Sequence, residues 1–481
     1  MLPFQRQLSR GFYCTLSLPS SAMGLALSIQ IAALSWLLTT QYGLDIHDVG
    51  WVWAAGPLAG IVGQVLIGIV SDNVWLWHGR RRPFIILGGI AAALSLLALP
   101  NIDVISASLG INGFLGVAIT VAILLDLSIN ISFNPTRSII ADVTPPTHER
   151  TRAYTWMQTV SGSFAVLAYF IGSFWDNYVL IYLGVILVLL MSVIPPLLIT
   201  EPRTLSSPRQ QDTVPAFGGL EGLMMIQPLW GFLLYSVYAI GARLLGWQAD
   251  HYWIEGLCLL LTIVLIIRAL VQPEQIRADG TNVNGFKKVL AAHGFTWLGV
   301  QSMFVYMIAF VKFNLPELDA VQTGQVMSMS FLVLTVVSAV LPVMLLEPMA
   351  RRFGRVKVHT ACIFSMALGY GLLAILGNSN IAIYLLMGLL GVGWAATISL
   401  PFAIMSQRVA AHKMGLFMGL FNLSVVLPQL VASVGIGKII HQVHDKRVLF
   451  WLCAGALLLS ALAWLRVNEQ PATNDQAPRA S

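Results

Sequence analysis

Four polar side chains interrupt one apolar run of the chain, ILLDLSINISFNPTRSIIADV: Asp126, Asn130, Asn134 and Arg137. At about 100° per residue, the last three lie roughly 40°, 80° and 20° round a helix from Asp126. One helix face therefore carries an acid, two amides and a guanidinium. An aspartate in the middle of a membrane helix costs roughly 2.5–3.5 kcal/mol to insert, which makes it a functional candidate from the outset. A carboxyl that can be held protonated or ionised can take up and release a proton, and its ionised form accepts hydrogen bonds from hydroxyl groups. Asp126 and Arg137 are 11 residues apart, about 16 Å along the axis, too far for a salt bridge within the helix. The face is expected to line a central cavity, with Asp126 near its middle and Arg137 toward the cytoplasmic end.

Such a helix presupposes a membrane. The chain has 481 residues, 57% hydrophobic and 10% charged, against about 25% charged in soluble domains. Apolar runs of about 20 residues, enough to cross a hydrocarbon core of about 30 Å, recur from end to end. The runs are continuous, where a β-barrel would show short alternating segments. The expected class is an all-α polytopic membrane protein. Cys14, Cys258, Cys362 and Cys453 are widely spaced and form neither a CxxC pair nor a disulfide framework. Arg6 and Arg10 precede a long apolar stretch with no small-residue cleavage site, so the N-terminus reads as a retained first helix. The net charge of +6 gives no reason to expect a nucleic acid. With no phosphate loop, HExxH or nucleophile elbow, an enzyme and a bound cofactor or metal are not expected.

Spans are expected at 20–41, 49–70, 83–100, 111–133, 154–175 and 178–200, then two more at 226–246 and 252–271. Six further spans follow at 291–311, 324–346, 358–377, 380–403, 414–436 and 448–466. The order six, two, six implies an N-terminal bundle over 1–200 and a linker with two additional helices over 201–288. A C-terminal bundle over 289–467 and a disordered cytoplasmic tail over 468–481 complete the chain. Of the 27 Lys and Arg residues, Lys312, Lys438, Lys446 and Arg447 fall outside, and Arg137 and Arg243 within spans. The remaining 21 lie on the side of the N-terminus, which the positive-inside rule makes cytoplasmic.

The loop after the second span, SDNVWLWHGRRRPF, has a counterpart two spans into the second bundle, LLEPMARRFGRVKVH. With Gly79 aligned on Gly354, an acid lies seven residues before each glycine (Asp72 and Glu347), and an arginine follows each directly (Arg80 and Arg355). Arg82 and Lys357 come two further on, and Arg81 and Arg351 add to the basic character of the two loops. A device repeated in corresponding loops is the trace of a duplicated bundle. An acid ending one helix and an arginine starting the next can pair across the two halves, latching a cytoplasmic gate that opens and closes.

In these features the chain resembles the major facilitator superfamily, and within it the sucrose/proton symporters and the glycoside-pentoside-hexuronide-type disaccharide carriers of bacteria. WVWAAGPLAGIVGQVLIGIVSDNVWLWHGRRRPFI is similar to the symporters' second helix and following loop, and ILLDLSINISFNPTRSIIADV to their fourth, with Asp126, Asn130 and Arg137 at matching positions. LLEPMARRFGR, GWAATISLPFAIMSQ and MGLFMGLFNLSVVLPQLVASVG resemble helices 8, 10 and 11. The seventh, FTWLGVQSMFVYMIAF, departs by carrying no charge, where plant members have acids and an arginine. The helix pair between the bundles also departs from the usual twelve-span plan.

The resemblance implies a major facilitator fold of about 14 spans in a bacterial inner membrane, both termini cytoplasmic, with a monomer as the working oligomeric state. It implies proton-coupled symport of a disaccharide, sucrose, maltose or a related α-glucoside, with sugar, proton and lipid as partners. Asp126 would be the coupling acid. A sugar site also needs amides and an aromatic platform, for which Gln30, Gln158 and Trp394 are the candidates, with Trp36, Gln301 and Asn422 behind them; His47 is expected to be a bystander. An exporter of amphipathic molecules would need a mostly apolar cavity, and a transporter-like sensor or assembly factor would not need Asp126 and Arg137.

Overall fold

The computed structural model describes residues 5, 7–60, 75–77, 79–145, 148–202, 219–247, 251–276, 281–409 and 414–469. Asp72, the second span from 61 onward, residues 203–218 and the tail beyond 469 lie outside them.

The helices follow the apolar runs. Six come first: α1 (Arg10–Thr40), α2 (Ile46–Trp53, continuing helical over 55–60), α3 (Arg82–Ala98), α4 (Leu115–Val143), α5 (His148–Phe174) and α6 (Asn177–Leu198). The inserted pair is α7 (Trp230–Leu244) and α8 (Trp253–Val271). The last six are α9 (Val283–Asn314), α10 (Ala320–Leu341), α11 (Arg355–Leu376), α12 (Asn380–Ser406), α13 (Met414–Val431, extended to Gln442 through a π-helical turn at Ala432–Ile436) and α14 (Val448–Trp464). Among the described residues, 11 helices are long and apolar enough to cross a membrane. The protein is an integral, multi-pass membrane protein. Several helices run past the expected spans. The Ser9 hydroxyl caps α1 by accepting from the Phe12 N–H at 3.2 Å, and Asn282 does the same for α9 at Gly285, 2.8 Å away. Caps of this kind satisfy orphan donors and let a helix continue into water.

The duplication read in the loops is repeated in the packing. In the first half α1 packs on α5 and α6, and α3 on α4 and α6; in the second, α9 packs on α13 and α14, and α11 on α12 and α14. The halves meet through α5 against α10 and α2 against α13, again a symmetric pair. Small residues permit the close crossings. A Cβ added to Gly88 of α3 would sit 2.9 Å from the Ser128 carbonyl of α4. Large apolar side chains such as Leu94, Ile186, Leu257 and Leu385 are exposed on the outside of the bundle, as expected of a surface facing lipid.

The inserted pair is docked to the second half. It packs on α9 and α13, and the chain leaving α8 is anchored by Glu274. That carboxylate accepts from Asn282 Nδ2 at 2.9 Å and the Asn468 N–H at 3.0 Å, and lies 3.6 Å from the buried Lys288 ammonium.

Candidate solute site between the halves

A cavity of about 290 Å³ lies between the halves, walled by α1, α2 and α4 on one side and by α9, α12 and α13 on the other. The first wall carries Gln30, Asp126 and Asn130. Gln30 Nε2 donates to Asp126 Oδ2 at 3.0 Å, while Gln30 Oε1 is buried with no hydrogen-bond partner. Asp126 is 7% exposed, and no lysine or arginine is among the described lining residues. Gly56 of α2 is what lets the carboxylate sit so close to the backbone: a Cβ there would be 3.2 Å from Oδ2.

The opposite wall is aromatic with an amide pair. Trp394 meets Trp297 edge-on at 5.8 Å and Phe304 at 5.4 Å. Gln429 Nε2 donates to Gln301 Oε1 at 3.1 Å, and Asn422 lies on the same wall. Trp297 is held from behind, since its Nε1 donates to His293 Nε2 at 2.9 Å and the imidazole stacks on Phe421 at 4.8 Å. The site thus sets hydrogen-bonding groups against indole faces, an arrangement that recognises a hydroxyl-rich molecule with an apolar C–H face.

Of the residues singled out in the sequence, Gln30, Asp126, Asn130, Gln301, Trp394 and Asn422 line this cavity. Gln158 and Arg137 do not, which corrects the expectation that they share it. Gln158 is exposed on α5. The Arg137 guanidinium is exposed too and sits over the Phe133 ring at 4.1 Å, three helical turns from Asp126. The shared helix face is real, but the cavity spans only its Asp126–Asn130 part. Trp36 is also outside it, donating from Nε1 to the Ala320 carbonyl at 2.6 Å. Trp53, Gly56, Trp297 and Gln429, which do line it, were not singled out. His47 lies in the first turn of α2, away from this cavity.

The cavity is sealed at the end away from the termini. There Ser35 Oγ donates to the Val305 carbonyl at 2.8 Å and accepts from Trp53 Nε1 at 2.7 Å. Gln325 Nε2 donates to the Trp175 carbonyl at 2.7 Å and Ser328 Oγ to Asn177 Oδ1 at 3.2 Å. At the terminal end the two glycine loops make their bonds within their own halves. The Glu201 carboxylate accepts from the N–H groups of Arg80, Arg81 and Arg82 at 2.8, 2.9 and 2.8 Å, and Arg81 pairs with Asp142 at 3.2 Å. Glu469 does the same work in the second half, accepting from the Arg355 and Val356 N–H groups at 2.8 and 2.9 Å, while Glu347 pairs with Arg351 one turn on. Gly79 and Gly354 leave room for these carboxylates, and Gly354 also holds a φ of 96°, which favours glycine. Asp72, one of the two acids expected to latch the halves, lies outside the described residues, and Glu347 pairs here within its own loop. The repeated acid that matters here is the one that follows the last helix of each half, in EPR and in NEQ.

The model of the Major Facilitator Superfamily matches residues 16–433 and 334–481. The chain belongs to this superfamily. It is a membrane transporter and not an enzyme. It is similar to a sucrose transport protein of Arabidopsis thaliana, 23% identical over 453 residues that cover 84% of this chain and 80% of that protein. It also resembles the general alpha-glucoside permease of Schizosaccharomyces pombe, 29% identical over 188 residues, 36% of this chain and 34% of the permease. Among solved structures, the fold is shared with the xylose transporter XylE from E. coli in an inward-open conformation (TM-score 0.62, 15% identity, 96% of this chain and 97% of that one). It is shared as well with the nucleoside transporter NupG (TM-score 0.60, 13% identity, 95% of this chain and 98% of that one).

Proposed function

We propose that the protein is a secondary active transporter that takes up a disaccharide, sucrose, maltose or a related α-glucoside, together with a proton. The observation that carries this reading is the Asp126 carboxyl, buried beside one amide donor and facing an indole wall across the cavity. A carboxyl in that setting, with no cation among the described lining residues, can gain and lose a proton as sugar hydroxyls and water replace one another around it. Gln30 orients it, Asn130, Gln301, Asn422 and Gln429 supply hydrogen bonds, and Trp297 and Trp394 offer platforms for the sugar's C–H face. The relatives named for sucrose and alpha-glucosides support the choice of a disaccharide.

In this reading the two six-helix halves, 1–200 and 289–467, rock about the cavity. The termini face the cytoplasm, and the structure is the state closed to the outside. Arg137 and Gln158, nearer the termini, belong to the exit path. The Gly79 and Gly354 loops stiffen the cytoplasmic ends of the halves, and the protein works as a monomer.

The test is uptake of labelled sucrose, maltose and glucose into proteoliposomes with and without an inward proton gradient, for the parent and Asp126→Asn. Gradient-driven accumulation of a disaccharide is expected in the parent and not in the variant, while exchange against preloaded sugar survives in both. A parent that moves none of these sugars under any gradient would overturn the substrate assignment. Equal accumulation by Asp126→Asn would overturn the role of the acid.

A further inference from the structure

The inserted helices build a second cavity, of about 820 Å³, at the sealed end of the molecule. Its walls are α7, the start of α8, the outer end of α2 and the outer end of α13. Five aromatic side chains line it: Trp51, Tyr235, Tyr238, Trp247 and Tyr252. Tyr238 and Trp247 stand edge to face at 5.9 Å, and Gln442 Nε2 donates to the Tyr252 hydroxyl at 2.9 Å. Trp51 Nε1 is buried with no hydrogen-bond partner among the described residues.

The charges in this cavity are matched in sign. Arg243 lies 3.6 Å from Asp48, Lys438 3.7 Å from Glu255 and His441 3.8 Å from Asp45. Arg243 and Lys438, the arginine and lysine of the described lining, each have an acid beside them, so no unpaired one is left there to select a phosphate. What remains is a set of ring faces among dense hydrogen-bonding groups, which suits a neutral, polyhydroxylated ligand. The cavity is also in line with the solute path. Trp51 is two residues from Trp53 on α2, and Val434 follows Gln429 on α13; Trp53 and Gln429 line the central cavity. These two helices also pack on each other between the two spaces.

We propose that this outer cavity is a second carbohydrate site, built by α7 and α8, in which a neutral disaccharide docks before α2 and α13 part to admit it. The inference rests on the reading of the protein as a sugar transporter and assigns the inserted helices a role in capturing substrate. The Asp48–Arg243 and Asp45–His441 pairs tie α2 to α7 and α13, so they hold the cavity's walls together while the seal is shut.

The experiment measures equilibrium binding of labelled maltose and sucrose to the purified full chain, alongside uptake in proteoliposomes. It compares the parent with Tyr238→Ala/Trp247→Ala, with Tyr238→Phe/Trp247→Phe, and with Ala242→Trp, which fills the cavity without removing a ring. The parent is expected to bind two sugars per chain and the double alanine variant and Ala242→Trp one, with the phenylalanine variant keeping two. The double alanine variant should raise the half-saturating sugar concentration for uptake about tenfold, as expected for two lost ring contacts, at an unchanged maximal rate. Equal sugar binding by the parent, the double alanine variant and Ala242→Trp would overturn the proposal while leaving transport intact. If the parent moves no sugar, the transport reading fails; a sugar bound by the parent and lost in both cavity variants would still uphold the outer site, and no such difference would remove it as well.

Discussion

Ser35 is the joint of the sealed end, and replacing it with alanine tests whether that seal sets the conformational balance. Its hydroxyl donates to the Val305 carbonyl across the two halves and receives the Trp53 indole N–H. Ser35→Ala removes both hydrogen bonds at once and leaves a buried indole donor unpaired. The Trp53 bond lies within the first half and is kept when the halves part, so the bond that separates the two states is Ser35–Val305 alone, about 1 kcal/mol, which weakens the sealed state against the open one by about fivefold. The assay is alkylation by a membrane-impermeant maleimide, applied from the sealed side, of a cysteine placed at Val426 in the central cavity, with the four native cysteines replaced. While the open state is the minority, its population sets the rate, so Ser35→Ala is expected to react about fivefold faster than the parent. Gly50→Val should act in the same direction, because a Cβ on Gly50 would run into the Ser433 carbonyl and the Tyr306 hydroxyl. Rates within about twofold of the parent for both variants would refute the reasoning and place the control of opening elsewhere.

Two further outcomes follow from features at opposite ends of the molecule. Glu201→Ala strands three N–H groups at the start of α3 and should lower stability by about 2–4 kcal/mol, whereas Glu469→Ala strands two and should cost about two-thirds as much; denaturation of the purified protein in detergent ranks them, and the reverse order would contradict the assignment. At the other end, burial holds the His47 imidazole below the ordinary histidine range, an effect partly offset by the carboxylates of Asp45 and Asp48. The unfolded chain then binds more protons there, so stability falls as pH drops below about 6.5. The loss of melting temperature between about pH 7.5 and 5.5 should be smaller in His47→Gln than in the parent, and an identical loss would show that His47 does not contribute.

The helices were legible because each span must bury its own backbone polar groups and therefore announces itself as a continuous apolar run. Their ends were less so: α1 begins at Arg10 rather than 20 and α9 at Val283 rather than 291, since capped helices extend beyond the bilayer. Half of the site could be reached by helix arithmetic. Asp126 and Asn130 are one turn apart, and the one-face argument put them together on the wall they share. The same argument overreached at Arg137, because a shared face says nothing about how far along the axis a cavity extends. The other wall depends on which residues α9, α12 and α13 turn inward, and that is set by packing between segments far apart in the chain. Gln301 and Gln429 meet only in the fold. Glu201 and Glu469 left a trace, an acid just past the last helix of each half, but one that becomes readable only once the two loops are aligned.

Those two acids also change what the arginine loops can do. A carboxylate that accepts two or three backbone N–H groups at a helix start neutralises orphan donors and the positive end of the helix dipole together. It joins the end of α6 to the start of α3 in one half, and the end of α14 to the start of α11 in the other. Each half is thereby tied to itself at the terminal end through backbone N–H groups. In the proposed cycle rocking would leave the halves intact as bodies, and the bonds that would break and reform are ones that cross between them, such as those at Ser35, Trp36, Lys312, Gln325, Ser328 and Asp45–His441. In the proposed cycle the glycine loops would hold each half together as a unit, while the cross-half bonds at the sealed end would bias which way the cavity faces.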